Sequence, residues 1–174
     1  MYIDQNGQEP KKHSQKLLAF LISYDYFLPS WKPDCAGTPT IGYGHVPKEG
    51  EEYLLKEGYV ITKEQAAELL ENDLASFEKE LNDNLESKKI KVNQQQFDAL
   101  LSHYFNVGPY GTRSSRIWQD VIKGKVTVDS FVRENITAKK TRYLGLYRRR
   151  HDEWEIWATG DYQRDYPGQP EWWE

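Results

Sequence analysis

Asp34-Cys35-Ala36-Gly37-Thr38-Pro39-Thr40-Ile41-Gly42-Tyr43-Gly44-His45 is the stretch whose reading decides the fold. Its β-branched and aromatic residues favour extended backbone, while the glycines interrupt any regular strand. The pattern predicts a bent hairpin inside a segment of turns and short strands over 34–62. Upstream, Leu17, Leu18, Leu21 and Ile22 follow the spacing of an amphipathic helix, predicted from Ser14 to about Phe27 and stopped by Pro29 and Pro33. Residues 1–13 before it are expected to form a flexible N-terminal segment.

Downstream the period becomes helical. Thr62 and Gln65 have the spacing of a capping box. After them Ala66, Leu69, Leu70, Leu74, Phe77, Leu81 and Leu85 step by three and four. The pattern persists for roughly 24 residues, about 36 Å of helix, enough to connect two lobes. Asn93 with Gln96 repeats the capping signature before Phe97, Leu100, Leu101, Tyr104 and Phe105, and Gly108-Pro109 with Gly111 ends that helix. Shorter helices are expected around 114–123 and 127–135, and a last one from Leu146 to Thr159, closed by Gly160. The expected fold is α+β, mainly α. A small β-hairpin lobe (about 14–65) leads into a long connecting helix and a helical C-terminal lobe (about 66–160), followed by a Trp- and Pro-containing tail over 161–174.

Composition narrows the function. Hydrophobic residues at 38% and aromatics at 14% suit a packed globular chain rather than a disordered one. A net charge of −4 supplies no basic field, which argues against nucleic acid as a partner. Cys35 stands alone, excluding an internal disulfide and any Cys-based zinc site. The apolar run Leu17–Ile22 is too short to span a bilayer. Lys11, Lys12 and Lys16 before it faintly suggest a signal peptide, but no small-residue cleavage site follows, so a buried first helix is the reading.

Asp25 closes the first helix, Asp34 follows nine residues later and Thr40 six after that. Two carboxylates brought together by a helix end and a loop suit glycoside hydrolysis, in which one protonates the leaving oxygen and the other, ionised, directs water. A hydroxyl nearby can hold that water. Spacing alone leaves a second reading open, in which Asp34 is a turn residue bonding its own backbone.

The run Asp34-x-x-Gly37-x-Pro39-Thr40-Ile41-Gly42-Tyr43-Gly44-His45 resembles the signature of the phage-type lysozymes, glycoside hydrolase family 24. Further segments resemble the family in order: Thr62-x-x-Gln65-Ala66-x-x-Leu69-Leu70-x-x-Asp73, Gln96 to Leu100 running into Phe105-Asn106-Val107-Gly108, and Gly145-Leu146-x-x-Arg149-Arg150-x-x-Glu153 with Trp157 and Gly160. The similarity covers about residues 16 to 160. It implies a lysozyme-like fold and hydrolysis of the β-1,4 bond between N-acetylmuramic acid and N-acetylglucosamine in peptidoglycan, without metal or cofactor. It further implies inversion, a monomer, and action at the bacterial cell wall. Asp34 matches the family's second carboxylate and Thr40 its threonine. His45, Phe105, Asn106, Ser115 and Asn135 fall at or near positions around the bound glycan, with His45 read first as a structural residue closing the hairpin and a core role equally open for Phe105.

The first acid departs from the family: the Glu-Gly pair is Asp25-Tyr26 here. Asp is one methylene shorter, setting its carboxyl roughly 1–1.5 Å back, and a misplacement of about 1 Å can cost on the order of a hundredfold in rate. The departure keeps a second reading in view, a catalytically silent lysozyme-fold protein that binds glycan or a protein partner. Glu49, Glu51 and Glu52 read as solvated loop residues. Tyr43, Tyr104, Tyr110 and Trp118 are candidates to stack on sugars, and the Arg148–Arg150 run is divided between surface charge and an ion pair with Glu153.

Overall fold

A computed structural model describes residues 9–173, so positions 1–8 of the expected N-terminal segment lie outside the described residues. Two compact units result: Leu18–Ser76, and the residues before Leu18 together with those from Phe77 onward.

The first unit holds most of α1 (Gln15–Tyr24), the two-stranded antiparallel sheet β1 (Leu28–Pro33) and β2 (Pro39–Gly42), a 3-10 turn (Glu52–Leu55) and the first half of α2 (Lys63–Ser87). Helix α1 stops at Tyr24, three residues short of the expected end. The hairpin also differs from expectation. The 38–45 segment supplies β2 and a tight turn, while β2's partner is β1, the segment whose prolines were expected only to break the helix. Proline lacks an amide donor but is tolerated in a strand with one neighbour. The Pro29 carbonyl remains useful, accepting the Ile61 amide at 2.8 Å.

After β2 the chain reverses between Ile41 and His45, whose backbones exchange two hydrogen bonds of 2.9 Å. Gly42 sits in this reversal with φ +66°, and a Cβ there would stand 3.1 Å from Ala66 Cβ and 3.3 Å from Ile61 Cδ1. Glycine is therefore required twice, for the left-handed backbone and for the close approach of α2. Helix α2 opens on the expected box: the Thr62 amide donates to Gln65 Oε1 and the Gln65 amide to Thr62 Oγ1. Leu21, Ile41, Leu54, Ala66, Leu70 and Leu74 form the buried interior.

The second unit contains the end of α2, then α3 (Gln94–Val107), α4 (Pro109–Arg113), α5 (Arg116–Lys123), α6 (Val128–Val132), the short pair β3 (Thr137–Ala138) and β4 (Thr141–Arg142), and α7 (Leu144–Thr159). Helix α3 is the axis of this unit. The Asn93–Gln96 capping box starts it, and Phe97, Leu100, Leu101 and Tyr104 are wholly buried along it. The β3–β4 pair was not foreseen, because its turn is Lys139-Lys140, both left-handed at φ 48° and 64°, with no glycine to announce it. Lys11 and His13 hydrogen-bond to Asn82 and Glu78 of α2. Tyr162 of the tail donates to Asp98 at 2.6 Å. Among the described residues no helix is long and apolar enough to cross a membrane.

Candidate active site

Asp25, Asp34, Thr40 and His45 all lie in the first unit, and Phe105, Asn106, Ser115 and Asn135 in the second. Asp25 follows α1 directly, its amide turned back to the Ile22 carbonyl at 3.2 Å and its Oδ2 shielded from solvent.

Asp34 organises the loop between β1 and β2. Its Oδ1 accepts the amides of Ala36 (2.8 Å) and Thr38 (2.9 Å), and its own amide donates to the Thr38 carbonyl at 2.8 Å. The turn-residue reading is thus correct as geometry. It leaves the chemical reading intact, because Asp34 is exposed and its Oδ2 has no hydrogen-bond partner among the described residues. Thr40 pairs with Lys32 across the strands, and its Oγ1 donates to the Lys32 carbonyl at 3.2 Å. With the hydroxyl proton so placed, Thr40 meets a further group as an acceptor.

His45 is 2% exposed, with Nδ1 2.8 Å from Asp73 Oδ2 and Nε2 2.8 Å from Glu51 Oε2. Both ring nitrogens are occupied, so the ring clamps the hairpin to α2. Lys48 completes the cluster: its Nζ donates to Asp73 Oδ1 and its amide to Glu51 Oε2, each at 2.8 Å. The Lys48 amide, ahead of His45, holds the Glu51 carboxyl below its ordinary range, and the bond to Asp73 raises the Lys48 ammonium. Glu51 is therefore engaged rather than solvated, a partnership with no signature in the polar loop that carries it.

In the second unit Phe105 is half-buried, edge-on to Phe77 with ring centroids 5.7 Å apart. Asn106 is exposed and its Oδ1 accepts Arg150 Nη2 at 2.9 Å. Ser115 is buried, donating to the carbonyls of Gly111 and Thr112. Asn135 takes a left-handed backbone, φ 57°. Of the aromatic candidates, Tyr43, Tyr104 and Trp118 are core residues and only Tyr110 is exposed. Arg149 and Arg150 are buried against Glu153, and Arg148 donates to the Pro167 carbonyl.

The hairpin with its Asp34 turn, set between a helix ended by an acid and a long capped helix, defines a lysozyme-like domain. Residues 25–153 match the phage lysozyme family, and the chain belongs to it. It is 35% identical over 123 residues to the endolysin of Bacillus phage PZA, covering 70% of this chain but 44% of that one, so the chain spans less than half of that relative's length. Among solved structures, the endolysin from Escherichia coli O157:H7 phage FAHEc1 superposes with a TM-score of 0.75 at 29% identity, covering 90% of this chain and 99% of that one. The muramidase domain of SpmX from Asticaccaulis excentricus gives 0.73 at 26% identity, over 85% and 98%.

Proposed function

We propose that the chain is a muramidase that hydrolyses the β-1,4 linkage between N-acetylmuramic acid and N-acetylglucosamine in peptidoglycan, with inversion. Asp25 is the general acid that protonates the bridging oxygen. Asp34 and Thr40 hold the attacking water. The observation that carries this reading is the complementary state of the last two groups. Asp34 keeps one oxygen on its turn and the other available, while Thr40 has given its proton to the Lys32 carbonyl. A water donating one hydrogen to Asp34 Oδ2 and the other to Thr40 Oγ1 presents a lone pair to the anomeric carbon, as an inverting displacement requires. His45 acts indirectly, by fixing the end of the hairpin that bears Thr40. Phe105, Asn106, Ser115 and Asn135 are assigned to the glycan-binding side.

The second reading, a silent glycan- or protein-binding member, draws on one observation: Tyr26 is 91% exposed beside Asp25, where the resemblance has glycine. Release of soluble muropeptides from purified peptidoglycan separates the two. Wild type releasing product, with Asp25→Asn inert, supports the muramidase. An inert wild type that gains activity as Asp25→Glu supports the silent reading.

A further inference from the structure

One turn of α7 gathers an imidazole and two carboxylates that the reaction above does not use. His151, Asp152 and Glu155 each offer a donor atom, all within 4.8 Å of one another. His151 and Glu155 are one helical turn apart, and Asp152 is wholly buried. Asp165 approaches from the tail, its amide donating to Asp152 Oδ1 at 3.0 Å. Two features set this apart from a surface cluster of acids. An imidazole nitrogen is among the donors, and His151 Nδ1 and Glu155 Oε2 are both shielded from solvent, face each other as an ion pair at 3.7 Å, and make no hydrogen bond. Buried polar atoms are normally hydrogen-bonded, and the 3.7 Å between these two leaves room for a group that satisfies both.

We propose that His151, Asp152 and Glu155 form a binding site on α7 for one divalent transition-series cation, typified by Zn²⁺. His151 Nδ1 and Glu155 Oε2 are 3.7 Å apart. Ligands on a tetrahedral Zn²⁺ with bonds of about 2.0–2.2 Å stand about 3.4 Å from each other, so small side-chain rotations close the site. The imidazole favours Zn²⁺ over Mg²⁺ or Ca²⁺. Asp161 and Asp165 add negative charge around it.

The test is thermal unfolding of the chelator-stripped chain with added ZnCl₂, MgCl₂ or CaCl₂. Zn²⁺ at a hundredfold excess over its Kd raises Tm by about 5–10 °C. Glu155→Gln is at least as stable as wild type in chelator, which shows that it folds, and binds Zn²⁺ at least about tenfold more weakly. Co²⁺ in place of Zn²⁺ gives a visible absorption band that His151→Gln abolishes. No Tm shift at millimolar ZnCl₂ overturns the proposal. So does an equal shift in His151→Gln/Glu155→Gln, which would place binding at the His13–Glu78 or His45–Asp73 contacts, and so does a response to Ca²⁺ with none to Zn²⁺. None of these readouts depends on muramidase activity.

Discussion

His45 Nδ1 lies 2.8 Å from Asp73 Oδ2, joining the end of the hairpin turn to the middle of α2 across 28 residues of sequence. His45 is buried and Asp73 is 17% exposed, so removing the carboxylate leaves the ring Nδ1 without its partner, while Lys48, 63% exposed, returns to solvent. Asp73→Ala is expected to lose about 1–3 kcal/mol in urea unfolding. Glu51→Gln is expected to lose about 1 kcal/mol or less, because Glu51 is 28% exposed and an amide oxygen still accepts.

Asp34→Asn separates turn from chemistry. The amide oxygen can still accept from Ala36 and Thr38, so Tm should be nearly unchanged. Without the carboxylate proposed to activate water, muropeptide release should fall on the order of a hundredfold to ten-thousandfold. Thr40→Ser should retain most activity and Thr40→Val little. A large loss of Tm in Asp34→Asn would show that the carboxylate's charge, not its acceptor geometry, holds the loop.

Glu153 takes three donors on one oxygen. Ser102 Oγ stands at 2.7 Å, Arg150 Nη2 at 2.8 Å and Arg149 Nε at 3.4 Å. Arg150 Nε reaches the other oxygen at 2.7 Å, with both side chains fully buried. Glu153→Ala removes the buried carboxylate that Arg149 and Arg150 share and should destabilise by about 3–5 kcal/mol in urea unfolding. The same change releases Arg150 from its fixed orientation toward Asn106, so KM for peptidoglycan fragments should rise if Asn106 contacts glycan.

His103 sets an acid-side dependence. Burial, reinforced by Arg150 and Arg149, holds its imidazole well below the ordinary 6.5, and Nδ1 is bonded to Thr112 Oγ1 at 2.7 Å. A histidine whose folded value is depressed contributes stability that is complete above about 6.5 and is lost as the unfolded chain takes up the proton below it. Stability should fall below pH 6.5 with a slope that approaches about 1.4 kcal/mol per pH unit, and His103→Gln should flatten it. Urea midpoints from pH 8 to 5 check it.

Gly42→Ala tests the close approach of the hairpin to α2. The positive φ alone costs roughly 1–2 kcal/mol, and the added Cβ must displace Ala66 or Ile61. Reduced Tm together with reduced muropeptide release is expected, since Thr40 lies two residues away on the same strand.

The sequence by itself determined whatever depends on neighbours within about one helical turn. The 3-4 spacing from Ala66 to Leu85 set α2, the Thr62 and Asn93 boxes marked where two helices begin, and Gly160 closed α7. The Asp34 turn was readable for the same reason, since its partners are two and four residues away. Only the tertiary structure decided the pairing of a proline-bearing β1 with β2, the carboxylates on either side of His45, the Lys139-Lys140 reversal, and the meeting of Asp165 with Asp152. Each of these joins groups whose own neighbourhoods show only prolines, polar loop residues or surface charge. A hydrogen bond or ion pair across many residues leaves no period in the chain, and its partners become definite only when packing removes the water that would otherwise satisfy them.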